Sequence, residues 1–183
     1  LASHLVGRGR MEEPERIARI IDDFFAPKDL SLSGKKVMIT AGPTVERIDP
    51  VRYISNFSTG KMGFALAEEA ARRGASVILI CGPCSLGTDN PAIKRVDIES
   101  AREMYDAAMR EFAGSDIAIM SAAVADSAPA HYRDKKITRE HEDVESIALV
   151  RNPDIAASLG RVKRDGQILV GFALETDNGP ANA

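Results

Sequence analysis

The chain has 183 residues, 44% of them hydrophobic and 28% charged, enough to bury one sizeable core, so one domain with an appendage is expected. A net charge of −3 gives no electrostatic reason to expect nucleic acid or an anionic membrane as partner. No apolar run approaches the roughly 18 residues of a membrane span, and the opening LASHLVGRGRM lacks the layout of a secretory signal, which points to a cytoplasmic protein.

The first predicted element is a helix over residues 12–25, where Ile17, Ile20, Ile21, Phe24 and Phe25 recur at helical intervals and Pro14 sits in an acidic first turn. APKDLSLSGKK reads as a linker. KVMIT, from Lys36, is a short apolar strand ending in the AGPT turn. A long polar stretch follows to Gly60, and GKMGFALAEEAARRGA is then an amphipathic helix with Gly74 as its stop. SVILIC and IKRVDI are strands, residues 100–112 a helix capped by Ser100, and DIAIMSAAVA a further strand. A charged loop runs from Asp126 to about Val144, and SIALV is the next strand. Asn152 and Pro153 open a short helix to Leu159, and QILVGFAL is the last strand. Apolar strands alternating with helices define a Rossmann-like, doubly wound, mostly parallel α/β sheet covered on both faces. Ligands of such sheets bind beyond the carboxyl ends of the strands.

Several familiar spellings fail on context. Cys81 and Cys84 form CGPC, but the next residues, SLGTDNPAIKRV, are a loop and not the helix that redox pairs use to lower a thiol pKa. The thiols read as small buried hydrophobes, and His4, His131 and His141 add no zinc spacing. Counting back from Gly60-Lys61 puts Ser55 where a Walker loop needs glycine and Met62 where it needs Ser or Thr. The turn TAGPTVER lacks the glycines of a dinucleotide fingerprint. Tyr132 and Lys136 have the spacing of short-chain dehydrogenases, but in a loop.

Two loops remain that are too long and polar to be simple connectors. The first, through Asn56, Ser58, Thr59 and Lys61, offers N–H groups, hydroxyls and a cation at a helix start; its plain alternative is a helix capped by Ser58 or Thr59. The second places Asp126 at a strand end, followed by Arg133, Lys135 and Lys136. Taken alone it is a solvated charged turn. Two such loops at one sheet edge point to an anionic, nucleotide-like ligand.

ITAGPTVERIDPVRYISNFSTGKMGFALAEEAARRGA, then SAAVADSAP, KKI and VGFALET, resemble the phosphopantothenate–cysteine ligase domain of coenzyme A biosynthesis, in the right order over residues 34–178. The leading LASHLVGRGRMEEPERIARII is similar to the tail of the flavin-dependent phosphopantothenoylcysteine decarboxylase that precedes this domain in the bacterial bifunctional protein. Many relatives carry Cys where this chain has Ser3. The resemblance divides the chain into a decarboxylase tail helix (1–27), a linker (28–34) and a ligase domain (35–183), with the C-terminal part of the family domain missing. FMN would belong only to the absent decarboxylase body.

The resemblance implies that 4′-phosphopantothenate attacks the α-phosphate of CTP, with Mg2+ assisting, to give an acyl-cytidylate that cysteine then converts to 4′-phosphopantothenoylcysteine. Asn56 and Lys136 would be catalytic, Asn56 at the acyl group and Lys136 at the cytidylyl-transfer transition state. Gly42, Ser58, Ala123, Asp126, Lys136 and Phe172 would bind the nucleotide, Asp126 through ribose or metal. Arg52, Asn56 and the backbone at Ala123 would hold phosphopantothenate. A homodimer is implied. The alternatives are a non-catalytic nucleotide-binding module and, with less support, a nicotinamide-dependent oxidoreductase.

Overall fold

The structure, a computed structural model, describes residues 12–25, 29–138 and 146–174. The segment around Ser3, the loop approaching Val144 and the tail from Glu175 lie outside these residues. The elements in chain order are α1 (Pro14–Phe25), β1 (Lys36–Ala41), β2 (Val45–Arg47), β3 (Tyr53–Ser55), α2 (Lys61–Arg72), β4 (Ser76–Cys81), β5 (Ile93–Asp97), α3 (Ala101–Phe112), β6 (Ile117–Met120), β7 (Ser127–Pro129), β8 (Leu149–Arg151), α4 (Ile155–Val162) and β9 (Ile168–Gly171).

Five strands form one parallel sheet in the order β5-β4-β1-β6-β9. This is the doubly wound α/β arrangement that the alternation of apolar runs predicts. Because side chains alternate along a strand, β1 feeds two cores at once. Val37, Ile39 and Ala41 pack with Phe64, Ala67 and Ala70 of α2 on one face. Met38 packs with Met104, Ala108 and Phe112 of α3 and with Ile155 and Leu159 of α4 on the other. Helix α2 lies close to β1 because Gly63 has no side chain: a Cβ there would stand 2.5 Å from that of Ala41. The chain proceeds from β1 to β4 on one side and later to β6 on the other, so the sheet's topological switch point lies between β1 and β6.

Three features depart from the periodicity. The polar stretch before Gly60 contains the antiparallel hairpin β2-β3. The run DIAIMSAAVA leaves the sheet at Met120, and its continuation pairs instead with the loop after β1. SIALV contributes β8, which joins β7 in a separate two-stranded antiparallel ribbon. Strand β9 is also an edge rather than a covered strand, with Ile168 53% and Phe172 56% exposed. Ahead of the domain, α1 forms over the predicted span and leaves Ile20, Ile21 and Phe24 exposed. Residues 29–34, read as linker, dock on the sheet domain: Leu32 packs against the α2 core, and Asp29 pairs with Arg73 at 3.1 Å.

Candidate functional site

At the switch point two buried threonines bind β1 to the segment after β6. The Thr40 hydroxyl accepts the N–H groups of Ser121 (3.1 Å) and Ala122 (3.2 Å), and Ser121 Oγ donates to the Thr40 carbonyl (2.6 Å). Beyond the sheet, the Ala123 N–H donates to the Gly42 carbonyl (2.9 Å) and Thr44 N–H to the Ala123 carbonyl (3.2 Å). Thr44 Oγ1 accepts Ala125 N–H at 2.9 Å. The two loops therefore leave the sheet side by side and form a ridge with a cleft on each flank.

The first cleft, about 540 Å³, is lined by residues 57–63 and Ser121 at the start of α2. Gly60 opens the helix with φ 76°, a conformation that favours glycine, and no side chain caps the first turn. Of the plain alternative, a cap from Ser58 or Thr59, only long contacts are present: Ser58 Oγ accepts the Gly60 N–H at 3.3 Å and Thr59 Oγ1 the Lys61 N–H at 3.5 Å, the latter beyond good hydrogen-bond length. The other helices of the domain are different. Ser100 caps α3 at Glu103 N–H (3.2 Å), while Glu46 accepts Ala101 N–H (2.8 Å); Asp154 caps α4 at Ala157 N–H (2.8 Å). Helix α2 alone among these three starts from a cap residue, Gly60, with no side chain to accept its first-turn N–H groups, beside Ser58, Thr59 and Lys61.

The second cleft, about 680 Å³, lies between β6, α4 and the end of β9. Thr40, Asp126, Arg151, Asn152, Asp154 and Phe172 supply its polar and aromatic lining. Asn152 shapes it, donating from Nδ2 to the Ala125 carbonyl (2.8 Å) and from its N–H to the Asp126 carbonyl (2.8 Å). In the sequence Asn152 reads only as a helix opening with Pro153, and Asp154 does not stand out. The available signal was NPD directly after a strand-like run, although that strand, β8, belongs to the separate ribbon and not to the main sheet.

The expected site residues are thus distributed. Ser58 lines the first cleft; Asp126 and Phe172 line the second; Gly42 and Ala123 form the ridge between. The Ala123 N–H and carbonyl are both engaged in that ridge, so its backbone acts here as framework. Asn56 is exposed, and its Nδ2 donates to the Val124 carbonyl (2.9 Å), fastening the hairpin to the ridge. Arg52 is drawn into a different contact, with Asp49 (3.3 Å) and the Ile137 carbonyl (2.9 Å). Lys136 is exposed in the same loop as Ile137 and lines neither cleft. No three His, Cys, Asp or Glu side chains gather as a metal cage among the described residues; Asp126 shares its cleft with one other carboxylate, Asp154. Beneath the first cleft, Cys81 and Cys84 lie 3.4 Å apart, and burial followed by the neighbouring thiol pushes the Cys81 pKa up to about 12.

A parallel sheet with clefts on both flanks of its switch point defines a Rossmann-like ligand-binding domain. The chain belongs to the family of the DNA/pantothenate metabolism flavoprotein C-terminal domain, whose profile matches residues 32–183. It is 50% identical, over 100% of its length and 52% of the relative's, to a cysteine/cysteine sulfinic acid decarboxylase of an unknown prokaryotic organism. It is 47% identical to the coenzyme A biosynthesis bifunctional protein CoaBC of Vibrio vulnificus, over 94% of this chain and 43% of that one. The chain spans about half the length of the curated relatives it matches. The crystal structure of the C-terminal domain of a CoaBC protein superposes with TM-score 0.72 at 43% identity, covering 84% of this chain and 71% of that one. A Cab2 mutant in complex with phosphopantothenate-cysteine shares the fold at TM-score 0.63 and 19% identity, covering 92% of this chain and 74% of that one. Among the described residues no helix is long and apolar enough to cross a membrane.

Proposed function

We propose that this domain is a phosphopantothenate–cysteine ligase: it joins 4′-phosphopantothenate and L-cysteine at the expense of CTP, through an acyl-cytidylate. The observation that carries the reading is the uncapped start of α2, facing Ser58, Thr59 and Lys61, on one flank of a ridge whose other flank holds Asp126, Asn152 and Phe172. Unpaired N–H groups at a helix start suit phosphate oxygens. The second cleft suits a base and ribose, with Phe172 as an apolar face and Asp126 and Asn152 as polar contacts.

The chemistry needs no general base in its first step, because a carboxylate is already ionised at neutral pH. Its oxygen bonds to the α-phosphorus as the bond to the pyrophosphate oxygen breaks, and pyrophosphate leaves. Lys136 supplies positive charge to that transition state. The cysteine amine then attacks the acyl carbon, CMP departs, and the amine loses a proton. Asn56 donates toward the developing oxyanion, exchanging its present bond to Val124. Magnesium would come with the nucleotide, offsetting phosphate charge, and Asp126 is the carboxylate that would hold it. The exposed Val51, Tyr53 and Phe57 on and after the hairpin support pairing of two copies.

The test uses the full-length protein. Pyrophosphate release from CTP should require 4′-phosphopantothenate, and excess ATP should compete poorly. Tight nucleotide binding with no pyrophosphate release under any substrate combination would instead make it a binding module.

A further inference from the structure

We infer that Asp49 is a positioning residue for Lys136: its buried carboxylate clamps the turn of the β2-β3 hairpin to the loop that carries the lysine. The inference rests on the reading that Lys136 acts on the nucleotide.

Asp49 is only 1% exposed although it is an acid, and a buried carboxylate is tolerated only where donors surround it. Four do. Oδ1 accepts the N–H groups of Val51 (2.7 Å) and Arg52 (2.9 Å), which closes the turn locally. Oδ2 accepts Arg52 Nη1 (3.3 Å) and, across 88 residues of sequence, the Ile137 N–H (3.2 Å). Arg52 completes the grip by donating from Nη2 to the Ile137 carbonyl (2.9 Å). Ile137 is therefore held at both its N–H and its carbonyl by one ion pair. A further bond, Arg133 N–H to the Ile48 carbonyl (3.0 Å), fastens the same loop to the same hairpin.

Residues 131–138 form no helix or strand of their own, so these bonds fix the course of their backbone. Lys136 immediately precedes the clamped residue. Burial pushes the Asp49 carboxyl pKa up, but the N–H groups of Val51, Ile137 and Arg52 outweigh it and hold the pKa below the ordinary 3.8. The clamp is thus ionised throughout the neutral range. Its effect on the reaction comes through geometry, since a misplacement of about 1 Å at a reacting group can lower a rate by roughly 100-fold.

Asp49→Asn preserves size but replaces one acceptor oxygen with a donor, which opposes both the Ile137 N–H and the guanidinium at the Oδ2 position, or the N–H groups of Val51 and Arg52 at the Oδ1 position. In the full-length protein, two readouts are taken. Amide hydrogen exchange over residues 131–138 should accelerate at least tenfold while that of β1 and α2 stays unchanged. The rate of acyl-cytidylate formation should fall 10- to 100-fold, with CTP affinity altered less than threefold. In a Lys136→Ala background the same substitution should add no further loss of rate. If Asp49→Asn does not fold, Arg52→Lys, which retains charge but cannot hold both Asp49 and the Ile137 carbonyl, should give the same pattern more weakly. Unchanged exchange in the loop overturns the clamp. Multiplicative loss with Lys136→Ala overturns the route through that lysine. A wild-type protein that makes no acyl-cytidylate would overturn the ligase reading alone, because the exchange measurement judges the clamp without it.

Discussion

At the start of α2 the cleft is backed by closely packed chain. A Cβ on Gly82 would stand 1.7 Å from the Pro43 carbonyl oxygen, and one on Gly60 would stand 3.4 Å from Gly42 N and 3.5 Å from Cys84 Sγ. Across the ridge, the cleft beside α4 is open: no atom lies within 4 Å of a Cβ built on Gly171, which lines it, and β9 is exposed. The contrast separates two ways of making a site. The first sets a helix start against packed chain, and Gly82 behind it has no room for a methyl group. The second obtains selectivity from replaceable side chains and tolerates added volume.

The comparison breaks first if Gly82 tolerates a methyl group. Gly82→Ala forces backbone apart in a packed turn, and overpacking of this severity should destabilise the fold by at least about 3 kcal/mol. Gly171→Ala, the matching change on the other side, should stay within about 0.5 kcal/mol. Urea unfolding of both variants gives the answer. Equal midpoints would mean that the close approach at Pro43 relaxes freely and the first cleft is not rigid.

The next effect is on rate and concerns residues outside both clefts. Lys136→Ala should lower acyl-cytidylate formation by roughly two to three orders of magnitude, as loss of a transition-state donor does elsewhere. Asn56→Asp removes the donor to the Val124 carbonyl and, on the proposed ligase reading, sets a carboxylate near the acyl group. It should spare activation more than attack by cysteine, so the intermediate accumulates. A quench with radiolabelled CTP separates them: intermediate present with the Asn56 variant, absent with the Lys136 variant. Arrest of both before the intermediate would dissolve the division of labour.

What was legible in the sequence follows the same divide. β1, α2, β4 and α3 are long enough for their apolar period to show, and Ser100 caps α3 as its position suggests. The ribbons β2-β3 and β7-β8 have strands of 3 residues, too short for a period to register. The site residues were read mostly as free functional groups. The structure shows several of them engaged with partners distant in sequence, as with Arg52 and Ile137 or Asn56 and Val124, and such pairings leave no local trace. CGPC went the other way: the absence of a following helix was visible in SLGTDNPAIKRV, and residues 83–90 indeed form none.

That motif gives a smaller prediction. The Cys81 thiol is held neutral to about 12, above its ordinary 9.0. Between those values an unfolded chain has released the proton while the folded one retains it, so folding stability must fall as pH rises through this window. Chemical denaturation from pH 8 to 10.5 should show that decline, reduced in a Cys81→Ala, Cys84→Ala variant. At neutral pH the same variant should keep turnover within a few-fold. Activity lost in that variant, or restored to oxidised wild type by a thiol reductant, would make the pair functional.

The smallest effect tests the open side by trying to improve it. Gly160 lies within α4 with an ordinary helical φ and nothing near its missing Cβ, so it contributes backbone freedom without a packing reason. Alanine at that position restricts the unfolded chain and adds no contact that must shift. Because residue 160 stands in the last turn of an eight-residue helix, the gain should be about 0.5 kcal/mol, below the full interior value for this exchange. CTP affinity should be unchanged, since Gly160 lines neither cleft. A loss of stability would show that α4 meets another part of the protein at Gly160, and the second flank of the ridge would then be as enclosed as the first.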